Sequence, residues 1–226
     1  MSPVVLRTNQ ENHNLASLFS SESMKKALFI LIAWLCTINV QAQQDSLVLM
    51  QIEATGTSIH SMECRLRNTM KRPNKQEEEK VGDLKYLTTN FIDAHFSEDE
   101  YIIMNGNKMK IHLGIFNGTF RTDRNPLIKP ISRMLVCAIN GQCIKIAEEN
   151  DYDLALSEDS ESYNVTLTTR KKKLLGIGYR QAVFSYGKDN FRLKRILLID
   201  YKDNHDLYSF ENQVFDKDID KSAFKL

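Results

Sequence analysis

The sequence predicts an α+β fold in which about ten strands form a curled antiparallel sheet and two helices lie on its inner face. Three observations predict this fold. Most of the chain alternates apolar and polar residues with a period of two, as half-buried strands do. Turn signals such as Asn105-Gly106-Asn107 separate consecutive strands and favour hairpins. Two other segments carry apolar residues at helical spacing.

A secretory signal peptide is predicted at residues 24–42. Met24-Lys25-Lys26 supplies the basic start, residues 27–35 form a short apolar run, and Val40-Gln41-Ala42 fits a small-x-small cleavage site. The apolar run is shorter than the ~20 residues that span a bilayer, so we interpret it as a signal peptide rather than a membrane anchor.

The residues around the signal peptide define the rest of the chain. Trp34 and Leu35 stand where a lipoprotein signal has small residues, which argues against lipid attachment at Cys36. Residues 1–23 have no apolar period, and we interpret them as a disordered upstream extension. Residues 43–226 are therefore predicted to be a single exported domain in the periplasm.

The charge balance is close to neutral, with 30 basic and 29 acidic residues. A nucleic-acid-binding protein would show a basic excess, so we expect no nucleic-acid partner. Three cysteines follow the signal peptide. Cys137 and Cys143 are close enough in sequence to form a disulfide across Asn140-Gly141, and Cys64 would then be left as a buried thiol.

The elements follow from the two periods. The first helix is predicted at residues 46–59, with Val48, Ile52, Thr55 and Ile59 on one face, and the second at 126–140, between Asn125 and Gly141. Residues 76–79 are interpreted as a charged loop and 114–125 as a turn-rich segment. The strands are predicted at 62–67, 81–87, 91–96, 100–104, 108–113, 152–158, 163–169, 179–186, 192–202 and 205–214.

The sequence carries no recognisable catalytic or metal-binding pattern, so we predict a protein that is not an enzyme and needs no cofactor or metal. His60, His95, His112 and His205 are scattered and lack metal-ligand spacing. No Gly-x-Ser-x-Gly motif is present, and residues 176–178 contain only a fragment of a dinucleotide fingerprint. The basic run 170–173 is interpreted as a solvated turn or as a contact with anionic lipid or an acidic partner.

The apolar residues of the sheet and helices have two interpretations. They can fill a closed core, or the helices can cover the sheet incompletely and leave a concave apolar site. Periodicity alone does not decide between them, so the packed core is the default interpretation and the ligand cavity is the less common alternative.

Several short segments resemble a known family by their order and spacing. They are IHSMEC at 59–64, VGDLKY at 81–86, NGNKM at 105–109, ISRM at 131–134, VTL at 165–167 followed by RKKK at 170–173, and AFKL at 223–226. Together they resemble the LolA-like family of periplasmic outer-membrane lipoprotein carrier proteins, over nearly all of residues 43–226.

The resemblance implies a fold and a function. The family fold is an incomplete β-barrel, here of about ten to eleven strands, covered by helices. Its members bind the acyl chains of lipoproteins in an apolar cavity. They accept this cargo from an inner-membrane lipoprotein-releasing transporter and deliver it to an outer-membrane acceptor. By resemblance, this chain is expected to be a monomeric lipid-binding chaperone in lipoprotein transport, for lipoproteins or for another lipid.

Eleven apolar residues are the candidates for lining the cavity. The methionines suit a carrier because flexible thioether side chains adapt to different acyl shapes, and Met62, Met104, Met109 and Met134 are the candidates of this type. The full set of candidate ligand-binding residues is Leu66, Leu84, Tyr86, Ile92, Phe96, Met109, Ile111, Ile131, Met134, Leu135 and Phe184.

One position departs from the family pattern. Asp93 stands where family members carry an arginine that controls opening of the helical lid, so the resemblance does not establish that this chain opens by the family mechanism. The alternative to a carrier is a structural or interaction paralogue with a closed core, which would bind a protein partner through the basic run.

Overall fold

One antiparallel sheet of eleven strands forms the framework of the domain. A computed structural model describes residues 43–88, 90–113, 116–125, 128–170 and 178–226, apart from the side chains of Phe116, Pro130 and Ile131. The strands are β1 (Ser61–Lys71), β2 (Glu78–Leu87), β3 (Phe91–Ser97), β4 (Glu100–Asn105), β5 (Lys108–Leu113), β6 (Phe116–Arg121), β7 (Tyr152–Glu158), β8 (Ser162–Thr169), β9 (Tyr179–Gly187), β10 (Leu193–Asp200) and β11 (His205–Phe215).

The strand order shows how the sheet curls. It runs β6-β5-β4-β3-β2-β1-β11-β10-β9-β8-β7, so β6 and β7 are its edges and do not pair with each other in the described part of the chain. Met109 on β5 and Leu167 on β8 each lie next to an edge strand, yet both belong to one buried core cluster. The sheet therefore curls around a common interior, and the predicted α+β fold with an incomplete barrel is confirmed.

Besides the sheet, the described residues form three α-helices: α1 (43–57), α2 (Ile128–Ile139) and α3 (Cys143–Asn150). The chain runs from edge strand β6 through α2 and α3 to edge strand β7, so these two helices connect the open edges. We refer to α2 and α3 as the lid, and to the sheet surface that packs against the helices as the inner face. In α1, Leu49 and Ile52 are buried at helical spacing.

The segment predicted to be turn-rich contains a strand, so that prediction is wrong for Phe116–Arg121. These residues pair antiparallel with β5, from Leu113 opposite Phe116 to Lys108 opposite Arg121. Asn117 and Gly118 suggested a turn, but their backbone groups take part in this register because a strand requires only extended backbone. The charged loop predicted at 76–79 is similarly too long, since Glu78 and Glu79 pair with β1.

The third helix, α3, was not predicted, because only Cys143, Ile146 and Ala147 of its eight residues are buried. This i, i+3, i+4 spacing is too short to stand out beside the polar residues that follow. Gly141 separates α2 from α3 and adopts a left-handed φ of 67°, a conformation that glycine adopts most readily.

The outer face carries a second, smaller core. The C-terminal segment ends in a 3-10 turn, Lys221–Phe224, and its Ile219 and Phe224 pack with Ile103 of β4. Phe224 also packs against Phe91, with ring centroids 5.6 Å apart. The end of the chain is thus fixed to the sheet on the side opposite the helices.

Asp93 lies on this outer face. Its strand neighbours Ile92 and Ala94 are buried in the inner core, and alternation along β3 directs the Asp93 side chain to the other side. Asp93 lies 2.5 Å from the Nδ1 atom of His95, two residues further along the same strand. Asp93 therefore takes no part in holding the lid.

Candidate functional site

The candidate cavity residues come together on the inner face. Seven of them are buried members of the main core cluster. They are Leu66, Leu84, Tyr86, Ile92, Met109, Ile111 and Phe184. Met62 and Met104, two of the methionine candidates, are buried in the same cluster. The sequence prediction therefore selected residues that share one apolar surface.

Three of the remaining candidates pack against that surface, one from strand β3 and two from the lid. Phe96, Met134 and Leu135 are half-buried and pack against the core cluster. Met134 and Leu135 lie on α2, so this helix turns an apolar face toward the sheet. The side chain of Ile131 lies outside the described residues.

Two buried tyrosines attach the lid to the sheet. The Tyr86 hydroxyl of β2 donates a hydrogen bond to Oδ1 of Asn140, 2.7 Å away. The Tyr186 hydroxyl of β9 donates to the carbonyl oxygen of Ala138 at 2.8 Å and lies 3.2 Å from the Cys143 sulfur. Burial raises the pKa of both phenols, so both stay protonated and can donate. The turn between α2 and α3 is therefore the point at which the lid is held.

The backbone of helix α1 also lies close to this α2–α3 turn. A Cβ atom added at Gly56 would lie 2.7 Å from the backbone nitrogen of Gly141. A Cβ atom added at Gly141 would lie 2.7 Å from the carbonyl carbon of Ile52. Two glycines thus allow the backbone of α1 to approach the α2–α3 turn closely, which fixes the turn between α1 and the sheet.

A crevice separates α2 from the sheet beyond this attachment point. It is too narrow to admit a water molecule, and it is lined by Met134, Tyr152, Leu167, Tyr179, Gln181 and Ala182. Met134 is the one member of this lining that the sequence analysis named. The inner face is therefore nearly filled beneath this part of α2.

An open groove lies beside the crevice at the β7 edge. It has a volume of about 300 Å³ and is lined by Ile144, Ala147, Glu148, Asp151, Tyr152, Leu154 and Arg170. Tyr152 lines both spaces, so its ring separates the surface groove from the crevice beneath α2.

The first residue of the basic run is already paired. The Arg170 guanidinium lies 2.6 Å from Oδ1 of Asp153 and 3.5 Å from Oδ1 of Asp151. Its charge is therefore balanced by two exposed carboxylates. Lysines 171–173 lie outside the described residues.

The three cysteines in the described part of the chain are free and buried. Cys64, Cys137 and Cys143 are all thiols in the structure, so the disulfide that the sequence spacing allowed between Cys137 and Cys143 is not formed in it. Burial raises the pKa of Cys143 to about 12, against the opposing effect of its contact with Tyr186. The Cys143 thiol is therefore a protonated packing group that fills the space between α3 and β9.

Removing the Tyr186 hydroxyl is expected to loosen the lid. Tyr186→Phe keeps the buried ring but removes the bond to Ala138 and leaves the Cys143 thiol without this partner, which should lower the free energy of unfolding by about 1–2 kcal/mol. Urea unfolding measures the change, and hydrogen exchange in α2 and α3 should become faster. Tyr101→Phe, on the outer face, is the matched control. Unchanged stability and exchange in Tyr186→Phe would contradict the role given to this hydroxyl.

Sequence reasoning missed five of the six residues that line the crevice. Tyr152 and Tyr179 begin predicted strands, and Leu167 and Ala182 have the burial expected of inner-face positions, so the alternation contained the signal. The prediction took only Phe184 from strands β7 to β11, because periodicity identifies a face but not where helices leave it uncovered.

No protein-family model matches the chain, and no curated protein sequence matches it. Solved structures are similar to it at low identity. A LolA superfamily protein from Nitrosomonas europaea is 11% identical over 80% of this chain and 97% of that chain, with a TM-score of 0.42. LprF from Mycobacterium bovis is 11% identical over 80% and 95%, with a TM-score of 0.38.

A third similar structure is a protein complex. The Pseudomonas aeruginosa MucA/MucB complex is 11% identical over 79% of this chain and 59% of that chain, with a TM-score of 0.42. Among the described residues of the present chain, no helix is long and apolar enough to cross a membrane.

Proposed function

We propose that the chain is a periplasmic carrier that binds the acyl chains of lipoproteins, or of a related lipid, between the inner face and the lid. One observation carries the proposal. The apolar inner face extends from β5 to β8, and the lid over it is attached at the α2–α3 turn but leaves a crevice beside Met134.

This arrangement suits reversible shielding of an acyl chain. Each methylene group that leaves water gains ~0.8 kcal/mol, so a lipid binds wherever apolar surface can be opened for it. Tyr86 and Tyr186 hold the lid at the α2–α3 turn, while Met134, further back along α2, borders the crevice. Helix α2 can therefore move away from β8 and β9 while its C-terminal end stays attached, and the flexible Met134 side chain can adapt to the bound chain.

The carrier needs no catalytic group. Cargo would arrive from an inner-membrane lipoprotein-releasing transporter and leave to an outer-membrane acceptor, with each transfer following the higher affinity. Opening the lid gives up part of the packing of α2 on the sheet, and this cost limits the affinity for the cargo. A carrier with a permanently open cavity would release cargo less readily.

A specific observation supports a second candidate function. The crevice is too narrow for a water molecule, which fits an interaction protein with a closed core. Such a protein would meet its partner through an exposed surface. The paired state of Arg170 makes the start of the basic run a weak anion site and so weakens this candidate.

A fluorescent fatty-acid probe distinguishes the two candidates. Protein should be purified from the periplasm of cells that express the full chain, freed of lipid, and titrated with the probe. A carrier is expected to bind the probe saturably at one site. A non-fluorescent fatty acid should then displace the bound probe. Absence of saturable binding would overturn the carrier proposal and favour the closed-core protein.

A further inference from the structure

A buried polar cluster lies on the inner face, beyond the crevice. Its members come from β1, the turn after it, β9 and β11, and they are Asn68, Arg72, Tyr179, Asp206 and Tyr208. Asp206 and Asn68 are only 8% and 7% exposed. Polar groups buried this deeply in an apolar surface are normally all hydrogen-bonded, so each of them needs a partner.

Most of the cluster is internally satisfied. Arg72 donates to Oδ1 of Asp206 at 2.5 Å and to the carbonyl oxygen of His205 at 3.0 Å. The Tyr179 hydroxyl donates to Oδ2 of Asp206 at 3.2 Å. The Asp206 charge is therefore balanced by Arg72, and the cluster as a whole carries no net charge.

Asn68 is the exception. Its side-chain oxygen is buried and accepts no hydrogen bond from any described residue. Asn68 stands directly opposite Tyr208 in the β1–β11 register, which places their side chains about 5 Å apart on the same face. Burial and the Asp206 carboxylate raise the pKa of Tyr208 to about 12, so its hydroxyl is protonated at neutral pH. The cluster thus presents an unused acceptor next to a neutral hydroxyl.

The cluster adjoins the proposed acyl site. Tyr179 lines the crevice and also bonds Asp206, so the same residue borders the apolar space and the polar one. A ligand whose chain lies along Met134, Leu167 and Ala182 would bring a polar group attached to that chain to Tyr179. The polar cluster is therefore placed to receive the polar end of an amphipathic ligand.

We propose that this cluster is a subsite for an uncharged hydrogen-bond donor, a hydroxyl or an amide N–H, that is linked to the acyl chain, with Asn68 as its acceptor. The inference rests on the proposed carrier function. An anionic group would meet Asp206 without a free cation, because Arg72 is already engaged, and a cation would meet a carboxylate that is already neutralised. A neutral donor alone satisfies Asn68 without leaving another charge unpaired.

Ligands that share one acyl chain test the subsite. Monooleoylglycerol offers hydroxyls, oleamide offers an amide N–H, and methyl oleate has no donor. Each is measured by displacement of the fluorescent fatty-acid probe. At least one of the donor-bearing ligands is expected to bind roughly tenfold more tightly than methyl oleate, since one net hydrogen bond at a buried acceptor has about this effect. The tighter of the two identifies the donor as a glycerol hydroxyl or an amide.

Two variants and a control locate the effect. Asn68→Leu should bring the ratio of donor-ligand affinity to methyl oleate affinity close to one, and it should fold, because an apolar side chain of similar size removes a buried oxygen that has no hydrogen-bond partner. Tyr208→Phe tests the same subsite at a second residue, and it should also reduce the affinity ratio between the donor-bearing ligands and methyl oleate. Asn107→Leu, at an exposed turn, should keep the full ratio.

The outcomes separate the two proposals. Equal binding of all three ligands by the unmodified protein, or a ratio unchanged in Asn68→Leu, would overturn the subsite and leave the carrier standing. Failure of every ligand and of the probe to bind would overturn the carrier itself, and the subsite with it.

Discussion

Met134→Asp is expected to abolish lipid binding while the protein remains folded. Met134 is half-buried on α2 and lines the crevice with Leu167 and Ala182. In the closed state the new carboxylate can turn toward solvent, so the thermal midpoint should fall by only a few degrees. With an acyl chain in place it would be buried without a partner, which costs several kcal/mol and lowers the affinity roughly a hundredfold or more.

A surface methionine supplies the control. Met50 is 61% exposed on α1, so Met50→Asp introduces the same charge without entering the apolar site. Probe titration of both variants, with circular dichroism as the test of folding, makes the comparison. Full lipid uptake by a folded Met134→Asp protein would show that acyl chains do not lie beneath α2.

Gly141→Ala is expected to destabilise the domain strongly, lowering the thermal midpoint by roughly ten degrees. Gly141 has a left-handed φ of 67°, and an added Cβ atom would lie 2.7 Å from the carbonyl carbon of Ile52 and 2.9 Å from the nitrogen of Glu53. The substitution therefore combines backbone strain of about 1–2 kcal/mol with overpacking of about 1–3 kcal/mol.

Gly106 separates these two contributions. It has nearly the same φ of 61°, in the turn between β4 and β5, but an added Cβ atom would meet no atom within 4 Å. Gly106→Ala should therefore show the strain alone. Urea unfolding of the two variants gives the contribution of α1 packing on the lid turn as a difference. Equal losses in both would contradict the close approach of α1 to that turn.

The sheet could be predicted from the sequence because half-buried strands alternate. Tyr86, Ile92 and Met109 were placed on one face by this pattern, and all three are buried in the same core. The edge strand β6 and the lid helix α3 were harder to predict from the sequence. β6 contains Gly118, which pairs with β5 but is not a residue that predicts a strand. α3 buries too few residues to establish a helical period.

The detailed site depends on contacts that no local pattern encodes. Asp93 could be placed on the outer face by its alternation with Ile92 along β3. The unpaired oxygen of Asn68 and the neighbouring Tyr179–Asp206 bond join β1, β9 and β11, which are distant in sequence. The attachment of the lid through Tyr86 and Tyr186 likewise requires the folded sheet.

Native mass spectrometry of the protein purified from its own periplasm, combined with solvent extraction, tests the carrier proposal most directly. A carrier is expected to retain one acyl species in substoichiometric or full amount, and the extracted mass identifies the class of lipid. The Met134→Asp variant purified in the same way should carry none. A wild-type protein that is free of lipid, and that also fails to bind the fatty-acid probe, would contradict the carrier proposal and assign the chain to the closed-core interaction proteins.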